Sequence, residues 1–353
     1  MKRSMIAAWF CLLALALTGC GDGENSNSGS NNNPYGLTTT GPGVLSASPL
    51  DAATLVYATP LGKLSPPGHV LATDHVYLSF VDPWSPQQQN NDCSPRPVYA
   101  AGAGVVYFLL QTETQGDTKM MIQMSPTFWY YYDHVIPLGG MQLGTRVTAG
   151  QQIATTTGRC PSMDLGVIDL DVNPPGFINP GRYGDLGAHV ASPYKYFTPD
   201  LQTLYYAKVR LFEGVPYDKD GRVDWGKAGY LAGDWFHSSI ANAPASTING
   251  SEGWEKTISF AKDWFDGSPR ISIGGTIATP KVLRIANAAA PVPDLVTPSS
   301  GLIAYEGIAT NGINDPGWIL VQMLDAATIK IEFFAQATTA PTAFTAAAQT
   351  YVR

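Results

Sequence analysis

The sequence predicts a mainly β protein built from antiparallel sheets in two domains, and three observations carry that expectation. Only 14% of the 353 residues are charged, while glycine (36), proline (27) and tyrosine (17) are plentiful, a balance that favours short extended runs joined by many turns. Between residues 97 and 168, apolar runs alternate with small-residue breaks. Beyond residue 203, a further series of short apolar runs with close-set turns points to a second antiparallel barrel or sandwich. A chain of this length holds about two domains.

Residues 1–19 read as a secretory leader. Lys2 and Arg3 form a positive start, and Met5–Leu17 is an apolar run shorter than the roughly 20 residues that a membrane span needs. The run ends in Leu17-Thr18-Gly19-Cys20, which resembles a bacterial lipobox and implies acylation of Cys20. Residues 20–43 open with an Asn-, Ser- and Gly-rich stretch too poor in apolar side chains to fold, so they are expected to act as a tether. The expected location is the cell envelope, anchored in the lipid bilayer through Cys20, with the outer membrane or cell surface favoured. Loss of the leader takes the formal charge from −7 to −9, and with no basic patch nucleic acid is excluded as a partner.

Two cysteines remain in the exported fold, Cys93 and Cys160. An oxidising compartment makes a disulfide the default expectation; free or metal-binding thiols are the alternative.

The first folded segment, residues 44–199, starts with a candidate strand at Ala53–Tyr57. Pro66-Pro67-Gly68-His69 then forms a turn leading into a strand at Thr73–Phe80. After an insertion rich in Pro, Gln and Asn, Pro97–Leu109 carries apolar residues on either side of Ala101-Gly102-Ala103-Gly104, where glycine signals a bulge or a close backbone approach. Phe128–His134 is an aromatic strand, Val147–Ile153 holds a Gly-Gln turn, and Met163–Ile168 closes the series. The outward aromatics of the fourth run are candidates for stacking on sugars.

That order of motifs, over roughly residues 67–172, resembles the lysostaphin/LytM-type zinc endopeptidases, which cut peptidoglycan cross-bridges. Pro97-Val-Tyr-Ala-Ala matches the start of the family's central hairpin, Tyr132 and His134 match its Tyr-x-His, and Gly150-Gln151 matches its Gly-Gln turn. The resemblance implies a loop His and a following Asp as two metal ligands, here His69 and Asp74, with His75 a competing donor. It implies that His134 polarises the substrate. The family closes on a strand with two histidines, one a general base and one the third ligand; here either Ser162 and Asp164 or Asp164 and Gly166 occupy those places. The first register puts Met163, Leu165 and Val167 towards the core. It leaves Ser162 where the general-base His is missing and His69, Asp74 and Asp164 as the ligand set. Zinc or another divalent ion could bind such a set, or none could. Two carboxylates lower the effective charge on the metal and weaken its acidification of water, and Ser162 cannot shuttle a proton near neutral pH as an imidazole can.

Residues 200–353 are expected to form an antiparallel barrel with a helix starting at Pro341. Candidate strands are Leu204–Phe212, Gly229–His237, Trp254–Phe260, Arg270–Ile273, Val282–Ala286, Gly301–Gly307, Trp318–Leu324 and Thr328–Phe334. Gly233-Asp234-Trp235 bears a slight resemblance to the opening of lipocalin-like barrels.

Three functions follow. The first is a cell-envelope lipoprotein whose endopeptidase-like domain binds peptidoglycan or glycan, or regulates a partner hydrolase, without cutting. The second is an active metalloendopeptidase; the third is a ligand-binding barrel module.

Overall fold

The computed structural model describes residues 33–81, 94–111, 116–157, 162–212, 218–248, 250–310 and 316–353. The expected leader, Cys20, most of the tether, and both Cys93 and Cys160 lie outside the described residues. The molecule is mainly β, with a ten-stranded antiparallel sheet followed by a closed eight-stranded barrel.

The sheet strands are β1 (Tyr57–Ala58), β2 (His75–Ser79), β3 (Pro97–Tyr99), β4 (Gly104–Gln111), β5 (Thr118–Ser125) and β6 (Phe128–Pro137). They continue with β7 (Arg146–Val147), β8 (Gln152–Thr156) and β9 (Ser162–Asp169); after a short helix α1 (Gly184–Gly187) comes β10 (Val190–Ala191). The main path runs β1-β2-β9-β6-β5-β4-β7. Central β6 has apolar residues at every position from Phe128 to Tyr132, so it buries both faces. Phe128, Tyr130 and Tyr132 join the main core, whereas Trp129 and Tyr131 enter a second cluster with Met121 and Ile168. All five aromatics are at most 1% exposed, so Trp129 and Tyr131 offer no open face for a sugar.

Residues 97–111 do not form a hairpin. β3 pairs with β8 and β4 with β5, and the small residues between them carry the chain from one partner to the other. Tyr130 Oη donates to the Gly102 carbonyl at 2.8 Å, and the Ala101 amide donates to Tyr132 Oη at 3.0 Å. A Cβ on Gly102 would stand 2.4 Å from Met124 Cε. A side chain there would have to push the end of Met124 aside and press on the Val44 carbonyl at 3.3 Å.

The sheet core extends past residue 199. Leu204–Phe212, expected as a strand, is mostly helix α2 (Pro199–Lys208). Pro199 in its first turn, Asp200 beside it and Lys208 in its last turn are residues that suit a helix start and end. Its Tyr205 packs in the sheet core with Val209 and Val223.

The barrel comprises β11 (Gly233–His237), then, after helices α3 (Ala245–Ile248) and α4 (Ser251–Glu255), β12 (Thr257–Lys262), β13 (Pro269–Ile273) and β14 (Lys281–Ile285). The set is completed by β15 (Leu302–Ala309), β16 (Gly317–Met323), β17 (Thr328–Ala335) and β18 (Gln349–Val352). Each strand pairs with the next, and β18 returns to β11. No helix starts at Pro341; residues 336–348 form turns and lead into β18, which is the eighth strand in place of the expected Leu204–Phe212. A helix there would leave β11 and β17 without the partner that removes their edges. Trp235 is fully buried, its indole N–H donates to the Leu231 carbonyl at 2.8 Å, and the Arg353 guanidinium covers its ring at 4.0 Å.

The two units share contacts near the site loop. Tyr183 Oη donates to Asp234 Oδ2 at 2.7 Å and Arg182 donates to the Ile240 carbonyl at 3.0 Å. Leu71, between His69 and Asp74, packs with Phe236, Ile240 and Ile248 of the barrel half.

Candidate functional site

Period-two alternation on β9 sends Met163, Leu165 and Val167 into the main core, as expected, and leaves Ser162, Asp164, Gly166 and Ile168 on the opposite face. Asp164 lies opposite Tyr77 of β2 and Asp133 of β6; Gly166 lies opposite His75 and Tyr131. The site is built across β2, β9, β6 and β5 on this second face.

Its centre is Asp164, 2% exposed. Two imidazoles face its Oδ2: His75 Nε2 at 3.3 Å and His134 Nε2 at 3.7 Å. Each ring has a second carboxylate on its other nitrogen, Asp74 Oδ1 at 2.8 Å for His75 and Asp117 Oδ2 at 2.9 Å for His134. A carboxylate only accepts, so both Nδ1 atoms carry protons. The result is a chain of alternating acids and bases, Asp74–His75–Asp164–His134–Asp117.

Burial disfavours charge on both histidines, but Asp164, and then Asp74 for His75 and Asp117 for His134, raise their affinity for protons above the ordinary histidine range. Burial raises the Asp164 carboxyl, against the pull of His75 and His134. The Asp74 side chain is 45% exposed, so burial opposes its charge only in part, and its hydrogen bond to His75 and the nearby Lys119 hold it below the usual carboxylate range.

His69 is held by its backbone, which exchanges hydrogen bonds with Ser65 at 2.8 and 3.1 Å around the Pro-Pro-Gly turn. Its ring meets His75 edge-on at 5.2 Å between centroids. Burial first, then the neighbouring His75, lower its pKa to about 3. Ser162 begins β9 opposite Ser79, two residues and so about 7 Å from Asp164. At Gly166 an added Cβ would fall 2.1 Å from Tyr131 Cζ, so the tyrosine ring occupies the space that a side chain would need. Asp169 accepts from Tyr196 Oη at 2.7 Å and from the Asp171 amide at 3.0 Å, and His189 Nδ1 meets the Val172 carbonyl at 2.8 Å. These three are structural.

Zinc bonds its ligands at about 2.0–2.2 Å, so ligand atoms around it stand within about 4 Å of one another. Among the described residues, the group of three whose ligand atoms lie within 4.8 Å is Asp117, Asp133 and His134. His69, Asp74 and Asp164 are arranged around His75 and are not gathered in this way. As placed, they do not fit a zinc ion, and no chemical step is assigned through one.

No local pattern in the sequence singles out Asp117. It precedes the strand that pairs with β6, and only the Thr118↔Val135 register brings it to His134. Asp133 was readable as the neighbour of His134, but strict alternation would have sent the two to opposite faces.

No protein-family model and no curated protein matches this chain. Similar solved structures include Csd3 of Helicobacter pylori, at 19% identity over 39% of this chain and 35% of that one, with a TM-score of 0.27. A zinc-containing peptidase from Vibrio cholerae matches at 20% identity over 35% and 36% of the two chains, TM-score 0.27. Lysostaphin matches at 13% identity over 56% and 71%, TM-score 0.29. This chain thus spans about a third of the length of the first two.

Proposed function

We propose that the sheet domain is a non-hydrolytic, lipid-anchored module of the cell envelope that binds peptidoglycan or its glycan without cutting it. The observation that carries this reading is the content of the closing strand. Either Ser162 and Asp164 or Asp164 and Gly166 stand where an endopeptidase of this kind needs two imidazoles, Asp164 is enclosed between His75 and His134, and Tyr131 fills the space over Gly166. A hydrolytic metal needs three protein ligands and an open position for water, and a general base must reach that water; Ser162 supplies no base.

Sedimentation of the purified chain with peptidoglycan sacculi, with the supernatant assayed for released peptides, tests the reading. Co-sedimentation without release is expected. Peptide release that is abolished in His69→Ala would establish the metallopeptidase instead, and failure to sediment would remove the cell wall as ligand.

A further inference from the structure

We propose that Asp117, Asp133 and His134 form a binding site for a divalent cation, distinct from the His69–Asp74–Asp164 set implied by resemblance and independent of whether the wall is bound or cut. Their ligand atoms lie within 4.8 Å of one another, so a shift of about 1 Å in each side chain brings them to the spacing of a bound ion.

The backbone is built to gather them. Between Thr118↔Val135 and Met120↔Tyr132 the β5–β6 ladder slips, so that Asp133 and His134 together oppose Lys119. His134 has φ of +62°, a left-handed conformation rare for a non-glycine residue. The bulge and the turned residue bring consecutive side chains to one face, where an ordinary strand would separate them. Asp117 reaches the same place from the start of β5 and is 3% exposed.

A second observation points to a cation. Asp164 faces the cluster from β9, directly opposite Asp133, with Oδ2 3.7 Å from His134 Nε2. Its other oxygen, Oδ1, is buried without a hydrogen-bond partner, an arrangement that costs free energy in a dry site. Three carboxylates thus converge on one imidazole. Lys119, one of the nearby cations, sits over the Tyr131 ring at 4.0 Å. His134 is 30% exposed, which leaves an approach from solvent. Two carboxylates and one imidazole favour an oxygen-preferring divalent ion that accepts imidazole, Mn2+ before Ca2+.

The probe is Mn2+ alone, titrated into the purified full-length chain and followed by its EPR signal and by broadening of the histidine ring resonances in NMR. One ion per chain is expected, with His134 broadened most and an affinity at least about 100-fold weaker in Asp133→Asn and in His134→Gln. Near-UV circular dichroism confirms that each variant is folded, and the broadening in the unmodified chain serves if neither is. No saturable binding at millimolar Mn2+ overturns the proposal. So does binding that is lost in His69→Gln and kept in Asp133→Asn, which would place the ion at the other set. Both outcomes are read without sacculi, so they are separate from the test of wall binding.

Discussion

The barrel interior and the outer face of the sheet are both buried, yet they are made of opposite materials. Inside the barrel, Trp235, Ile258, Phe260, Ile271, Leu283, Tyr305, Ile319 and Ile331 are at most 1% exposed and pack on one another. On the sheet face, His75, Asp117 and Asp164 are nearly as inaccessible and are held by charge and hydrogen bonds. An apolar interior is held by area removed from water and responds little to pH or salt. A buried acid–base chain adds little net stability for what it costs to desolvate, and natural chains keep such arrangements mainly at sites that bind or react. The contrast sets a polar, titratable sheet face against an apolar barrel core, and the loop carrying His69 rests through Leu71 on a separate cluster of Phe236, Ile240 and Ile248.

The largest expected effect is in the barrel. Trp235→Ala should cost about 3–5 kcal/mol, measured by urea unfolding, because it empties the space under Arg353 and removes a satisfied indole N–H. The loss should be the same at pH 6 and pH 8; a strong pH dependence would break the comparison. Next, Gly166→Ala should cost about 1–3 kcal/mol, since the new methyl displaces the Tyr131 ring. A neutral result in the same assay would mean that the ring is not confined.

The sheet face should respond to acid. Unfolded His69 takes up a proton near pH 6.5, whereas the folded residue does so only near 3. Between those values the unfolded state binds more protons, so this residue removes stability as the pH falls through the window. His69→Gln should remove that component, and urea midpoints of both proteins from pH 7 to 3 should converge towards the acid end. Parallel midpoint curves would show that His69 titrates normally. The smallest effect belongs to the surface: Glu252→Gln, which breaks the i,i+4 pair with Lys256 at 2.7 Å, should change stability by less than about 0.5 kcal/mol.

Much of the fold was legible in the residues. Alternation on β9 identified its core face, the small residues after Tyr99 marked a break, and seven of the eight barrel strands lie where apolar runs and turns placed them. The misplaced strand has a physical cause: Leu204-Tyr-Tyr-Ala-Lys-Val-Arg-Leu-Phe212 looks like an extended run, but the helix-starting Pro199-Asp200 and burial of Tyr205 on the sheet decide its form. The barrel closes instead with Gln349–Val352, a run so short that only its two neighbours define it. At the site, His69, Asp74, His134 and Asp164 were each readable, and their mutual arrangement was not. Asp117 carried no local pattern at all.

The sequence by itself determined the material of each region: an antiparallel β fold in two parts, apolar faces at period two, and a closing strand without histidines. Those properties depend on neighbours within a few residues, where backbone geometry and hydrophobic periodicity act directly. The tertiary structure decided which acids meet which imidazoles. Strand order and the one-residue slip between β5 and β6 bring together residues 117, 133, 134 and 164, and a register is set by the packing of both faces at once.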